Sequence, residues 1–267
     1  MGEKSFFTVD DLRKIQASAK TEAEELPIEL SYNRKQAFIK PLKVKDKKSL
    51  MKAIETKNEK LIHKLFDNIV EKYVTLEDGI SLDDITVSEK YQILTWIRRS
   101  AAGDTVKIIH KCPECEKVTT GIDYDLNNIQ VKMFESDEEN PIDNKIVTAG
   151  GKITLYLGPI TRKDEKEIDS VIYARNIESL TERQFMHMVG AIKRVEVTSE
   201  DMSGDVDFKI EEKIDFFESL DSNVLDKINN YLRKIDHGVK MPFNFKCSHC
   251  GYENKTEMAN ITVFFIS

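Results

Sequence analysis

All four cysteines of the chain fall in two copies of one spacing, Cys112-Pro113-Glu114-Cys115 and Cys247-Ser248-His249-Cys250. Each C-x-x-C lies between stretches that read as β-strands. Thr105-Val106-Lys107-Ile108-Ile109 precedes the first, and Lys240-Met241-Pro242-Phe243-Asn244-Phe245 precedes the second. Two sulfurs two residues apart on a tight turn can face one ion. A second such turn completes the four-coordinate, closed form of a structural zinc site. One C-x-x-C is a weak signal, whereas two with like flanks and no cysteine left over are a strong one. Cys112, Cys115, Cys247 and Cys250 are therefore the expected ligands of one structural Zn2+. That expectation constrains the fold severely, because the chain must return across more than a hundred residues to bring the second turn onto the first. The competing readings are redox dithiols and reduced, buried cysteines. A redox C-x-x-C usually opens a helix, and these lie on strands. His110 and His249 are near enough to substitute as ligands, although knuckle surface or support of the ligands is the plainer role for both.

Composition narrows the class. With 267 residues, 40% hydrophobic and 33% charged, the chain is long enough for one large domain or two small ones with a real core. A net charge of −7 argues against a general nucleic-acid binder. No apolar run approaches the length of a membrane span, so no membrane insertion is expected. Met1-Gly2-Glu3-Lys4-Ser5-Phe6 fits neither a signal peptide nor the myristoylation pattern. Folding in a reducing cytoplasm is expected, which disfavours disulfides.

Along the chain, residues 6–20 read as a short helix capped by Thr8, with Phe7 stapled on Leu12, and 21–27 as an acidic linker. Strands are expected at 28–35 and 36–42, and a short helix at 46–53. A helix at 59–74 carries Leu61, Ile62, Leu65, Phe66, Ile69, Val70 and Tyr73 on one face. Residues 75–84 read as a loop. Thr86-Val87-Ser88-Glu89 is a capping-box pattern opening a helix that stops at Gly103. Further strands are expected at 121–124 and 129–134, and the acidic, proline-ended stretch 135–141 reads as a boundary.

The second half of the chain repeats the first. Pro41 and Pro159, Asp46 and Asp164, and Leu50 and Ile168 are each 118 positions apart. Ile93 and Ile228, Trp96 and Tyr231, Gly103 and Gly238, and the paired cysteines are each 135 apart. After a strand at 152–157, a helix at 181–194 then matches the long helix of the first half. A helix from Asp221 or Ser222 through Ile235 matches the helix before the first knuckle. Between these two helices, 198–208 reads as a polar loop or hairpin and 198–222 as loop-like overall. The expected fold class is α+β: internally duplicated α/β halves, each ending in a C-x-x-C zinc-knuckle hairpin, joined as a zinc-ribbon-like four-cysteine site. The expected segments are an N-terminal helix and linker at 1–27, a first half at 28–134 and a second half at 142–267.

No Gly-rich phosphate loop appears, and Gly150-Gly151 reads as a hairpin turn. Neither H-E-x-x-H nor G-x-S-x-G occurs. Four thiolates would close a zinc that catalysis needs open, so no enzyme and no small-molecule substrate are expected. The final Asn260-Ile261-Thr262-Val263-Phe264-Phe265-Ile266-Ser267 reads as a strand, either closing the core or pairing with another subunit.

One pattern spans most of the chain. A helix carrying Tyr91-Gln92-Ile93-Leu94-Thr95-Trp96-Ile97-Arg98 leads through a strand to Cys112-Pro113-Glu114-Cys115. Asp123-Tyr124-Asp125-Leu126-Asn127-Asn128-Ile129 comes next, and Cys247-Ser248-His249-Cys250-Gly251 precedes a Phe-Phe ending. From about residue 30 onward this resembles the baseplate hub and hub-assembly proteins of T4-like contractile-tailed bacteriophages. The resemblance implies a structural or assembly role by protein–protein interaction with other baseplate hub and tail proteins. It places the chain in the virion tail baseplate, assembled in the host bacterial cytoplasm. The alternative is a zinc-ribbon nucleic-acid-binding or transcription-related module, for which Lys107, Lys111, Lys117, Lys246 and Lys255 supply local positive charge near the knuckles.

Overall fold

The computed structural model describes residues 8, 10–12, 14, 25–56, 58–136, 141–199 and 203–258. The C-terminal strand expected at 260–267 and most of the helix expected at 6–20 lie outside these. Of the latter, Thr8 and Asp11 do form the anticipated cap, with the Thr8 N–H on Asp11 at 2.8 Å and the Asp11 N–H on Thr8 Oγ1 at 3.2 Å.

The first half opens with a hairpin of β1 (Leu26–Glu29) and β2 (Gln36–Ile39), then helices α1 (Val44–Glu55) and α2 (Glu59–Tyr73). Strand β3 (Val74–Leu76) joins the hairpin in the order β1-β2-β3. Val74, expected to end the helix, and Thr75 and Leu76, expected to open a loop, are therefore paired backbone. Helix α3 (Val87–Ala102) begins at the foreseen box: the Glu89 N–H donates to Thr86 Oγ1 at 3.1 Å and the Thr86 N–H to Glu89 Oε2 at 2.8 Å. Ile93, Leu94 and Ile97 are fully buried on its inner face. Gly103 ends it with φ 81°, a conformation in which a side chain would be strained. Strands β4 (Thr105–Lys111) and β5 (Val118–Asp125) form the first C-x-x-C hairpin, and β6 (Gln130–Lys132) comes after it.

The second half follows the same order with added elements. Strands β7 (Lys145–Thr148) and β8 (Ile153–Leu157) form a hairpin across Gly150-Gly151, followed by helices α4 (Arg162–Ala174) and α5 (Leu180–Met188). Strand β9 (Ile192–Thr198) then pairs with β8 as β3 pairs with β2. The helix expected to reach residue 194 therefore stops at Met188. Gly190 packs within 3.1 Å of Asp164 Cβ and Ile160 Cγ2, as measured from an ideal Cβ, and Val195 and Val197 alternate as a strand does. Strand β10 (Ser203–Asp205) pairs with β9, in keeping with a hairpin over 198–208. Helix α6 (Ile210–Glu218) occupies the remainder of the stretch expected to be loop-like and has no counterpart in the first half. Helix α7 (Ser222–Lys234), strand β11 (Gly238–Lys240) and the second C-x-x-C hairpin, β12 (Pro242–Lys246) with β13 (Glu253–Glu257), complete the order.

Two apolar cores form, and each admits residues of the other half. Met241 and Phe243 are buried among Leu50, Phe66, Ile93 and Ile97 of the first. Tyr32 and Phe134 pack on the second, around Leu155, Ile168, Ile214 and Ile228. Strand β11 pairs with β6, so a two-stranded sheet also crosses between the halves.

A charged seam runs along the same boundary. The Arg162 guanidinium is 1% exposed and meets Asp67 at 3.0 Å, Glu71 at 2.6 Å and Asp83 at 3.4 Å. Lys166 bridges Glu71 at 3.1 Å and Asp83 at 3.0 Å. The buried Lys90 ammonium sits on Glu165. The Val87 N–H donates to the Ile160 carbonyl at 3.0 Å and the Arg162 N–H to the Ile85 carbonyl at 2.8 Å. At the edge of the seam Asp169 is held by His63 at 3.0 Å and by His187 at 3.3 Å.

Candidate metal centre

The two knuckles are built alike. In the first, the Cys112 N–H donates to the Lys117 carbonyl and the Glu116 N–H to the Cys112 carbonyl, both at 2.9 Å. In the second, the Cys247 N–H donates to the Tyr252 carbonyl at 2.8 Å and the Gly251 N–H to the Cys247 carbonyl at 2.9 Å. Both turns need one residue in the left-handed region: Glu116 with φ 58° and Gly251 with φ 77°. Glycine accepts that conformation freely, and glutamate does so only under constraint.

The fold brings these turns together. Cys112 Sγ lies 3.8 Å from Cys250 Sγ, and Cys115 Sγ lies 3.7 Å from Cys247 Sγ. All four sulfurs lie within 4.8 Å of one another. Exchanging the knuckles maps one close pair onto the other, the relation expected about a local twofold axis. A disulfide would need about 2.05 Å. A tetrahedron with metal–sulfur bonds of about 2.3 Å has edges of about 3.8 Å. The sulfur geometry thus fits a tetrahedral thiolate site. Cys112 and Cys247, the first of each pair, are buried, and Cys250 is exposed, so the site sits at the surface end of the joined hairpins.

Protonation follows the crowding. Burial pushes the Cys247 thiol up, but the backbone N–H groups of His249 and Cys250 and the neighbouring thiols outweigh it and bring it down to about 7. At Cys250 the Tyr252 N–H lowers the value, while burial and the three other sulfurs drive it up to about 12. One sulfur ionises near neutrality and the last resists. A cation bound there would allow all four to act as thiolates.

The two candidate histidines take other work. His110 packs edge-on to Phe243 and Phe245 at 5.3 and 5.2 Å and is 2.9 Å from Asn254 Nδ2. His249 contributes its backbone N–H, 3.4 Å from Cys247 Sγ. Of the lysines near the knuckles, Lys107 pairs with Asp123 at 3.2 Å, Lys111 with Glu116 at 3.6 Å and Lys246 with Glu253 at 3.3 Å. Much of the positive charge on these hairpins is thereby matched locally. The residues that sequence reasoning missed are those of the charged seam, Arg162 above all. Its one local signal was a cation at the first helical position, where a cation is disfavoured.

No helix among the described residues is long and apolar enough to cross a membrane. Neither the curated proteins nor the solved structures include a match to the chain. A family model described as T4 bacteriophage base plate protein matches residues 23–266, from the linker through both halves and both knuckles. The chain belongs to this family of phage baseplate structural proteins, whose place is the virion tail.

Proposed function

We propose that the chain is an assembly component of the baseplate hub, and that one structural Zn2+ held by Cys112, Cys115, Cys247 and Cys250 clamps its two halves. The four-sulfur cluster with tetrahedral edge lengths carries the metal reading. Family membership supports the baseplate role. When bound, the metal supplies a cross-link between distant segments and a share of the folding free energy. The segments are an N-terminal piece at 1–27 and two halves at 28–134 and 142–267, related by duplication. The recurring element order and the interchangeable knuckles support that relation. With four thiolates the coordination shell is full, so the site binds and does not catalyse. The partners are other hub and tail proteins, met during assembly in the host bacterial cytoplasm.

Two measurements test this. Metal content and oligomeric state, taken on one purified sample, should give one zinc per chain. A second zinc per chain in an oligomer would move the knuckles to subunit interfaces, and absence of metal from folded protein would overturn the clamp. Separately, infection in the absence of the protein should yield no complete hub. Normal baseplates would end the assembly reading.

A further inference from the structure

Helix α1 lacks the compensation that its counterpart α4 has. Helix α4 begins with Thr161 as cap, and Asp164 and Glu165 in its first turn offset Arg162 and Lys163 there, where the helix dipole favours carboxylates. Helix α1 begins at Lys43 with no side-chain cap. Its first turns hold Lys45, Lys47 and Lys48 against the single Asp46, itself occupied by Lys72 and Tyr73. Beside them Val44 is 71% exposed. Lys45, Lys48 and Lys52 are exposed on one face, and none pairs with a carboxylate among the described residues. Local rules broken without compensation mark places where function overrides folding.

The complement lies on α6. That helix is absent from the first half, and it buries only Ile214 and Phe217. Glu211, Asp215 and Glu218 are exposed along one side, and among the described residues only Asp215 of the three has a charged partner, Arg175 at 3.5 Å. The two stripes match in length and in spacing. Lys45, Lys48 and Lys52 are spaced three then four. Read in the opposite direction, Glu218, Asp215 and Glu211 are also spaced three then four. Each stripe spans about 10 Å. Antiparallel helices would set Lys45 against Glu218, Lys48 against Asp215 and Lys52 against Glu211, and would oppose the two helix dipoles favourably. The chain already uses this chemistry internally, where Arg162 and Lys166 of α4 grip Asp67, Glu71 and Asp83.

We infer that the α1 stripe of one copy docks on the α6 stripe of a second copy, so that the chain self-associates through unlike surfaces. Such contacts build rings or chains, unless two copies close them reciprocally. The inference deepens the assembly reading by naming one partner. It is measured on purified protein, while hub assembly is measured in infected cells, so either can fail alone.

The test is sedimentation of the full, metal-loaded chain. Association should be strong at about 0.01 M salt, where the screening length is about 30 Å, and absent at about 1 M, where it is about 3 Å. Reversal of Lys45, Lys48 and Lys52 to Glu should weaken association roughly tenfold or more, as should reversal of Glu211, Asp215 and Glu218 to Lys. Mixing the two reversed proteins should restore association, because the native α1 stripe of one meets the native α6 stripe of the other, and one chain carrying both sets should also associate again. Circular dichroism checks that each variant is folded, and glutamine at the same positions replaces any reversal that is not. A chain that is monomeric at every salt concentration overturns the inference. So does association indifferent to either stripe, or an α1 stripe that binds a short DNA duplex without self-association.

Discussion

The sulfur seam at Cys112, Cys115, Cys247 and Cys250 and the ionic seam around Arg162 join the same two halves, but they differ in what completes them. Every charge of the ionic seam is supplied by the chain: Arg162, Lys166 and Lys90 against Asp67, Glu71, Asp83 and Glu165. The sulfur seam has donors only, so the cation proposed for it would come from outside. The ionic seam is therefore present whenever the chain is folded, while on the proposed reading the sulfur seam closes only with metal. The shared cores, with Phe243 in the first and Tyr32 against the second, bring the halves together in either case.

The hardest test of this contrast is loss of a thiolate. Cys112→Ser or Cys247→Ser should abolish metal binding and cost several kcal/mol, with about 10 kcal/mol as the bound set by zinc-finger peptides. Urea denaturation with metal analysis measures it. An unchanged midpoint in both variants would make the ionic seam the sole fastener.

Next in size is Arg162→Met. It removes the buried partner of Asp67, while the half-exposed Glu71 and Asp83 keep Lys166. It should therefore cost about 1–3 kcal/mol, with one metal per chain retained. Loss of metal together with stability would show that the seams are coupled. Replacing Arg162 and Asp67 together with apolar residues should recover part of the loss, because a buried pair returns little beyond its own desolvation.

The knuckles provide a finer comparison. Gly251→Ala places a side chain at φ 77° and should cost about 1 kcal/mol, whereas Glu116→Gly relieves φ 58° and should stabilise by up to about 1 kcal/mol. Thermal melts of the two variants should shift in opposite directions. A shift of the same sign in both would mean that the knuckles are not interchangeable.

The smallest effect is expected with pH at the edge of the ionic seam. The bond to Asp169 raises the His63 pKa against the opposing pull of burial. Burial raises Asp169, but His187 and His63 outweigh it and hold its carboxyl well below the usual range. A raised histidine stabilises fully below its ordinary value of about 6.5 and loses that contribution as pH rises through its folded value. A depressed aspartate stabilises above about 3.9 and loses its contribution on acidification. Stability from this trio should thus be greatest in mildly acid solution and decline toward alkaline pH. His63→Gln should flatten that slope in denaturation midpoints taken between about pH 5 and 9.

Much of the architecture is readable where a pattern is local. The Thr86–Glu89 box, the Gly103 stop and the hairpin at Gly150-Gly151 each depend on a few adjacent residues. Helix α6 escapes a sequence reading because Ile210, Ile214 and Phe217 form a thin stripe within a strongly acidic stretch, although their spacing is helical. The end of α5 at Met188 is equally hard to place. A good helix start runs without a proline through Gly190 into the β-branched alternation of Val195 and Val197. The charged seam is barely legible, for beyond a cation at the first helical position a buried arginine and an exposed one look the same in a sequence.

By itself the sequence determined a four-thiol set, two C-x-x-C turns with no cysteine to spare, and the element order in which those turns recur. These depend on residue type and on spacing within a turn or a helix face. The tertiary structure alone decided that Cys112 lies beside Cys250 and Cys115 beside Cys247, that Arg162 is sealed among three carboxylates, and that β11 pairs with β6. Those pairings join segments far apart in the chain. They are selected by how whole faces bury one another, and no local window of the chain contains that information.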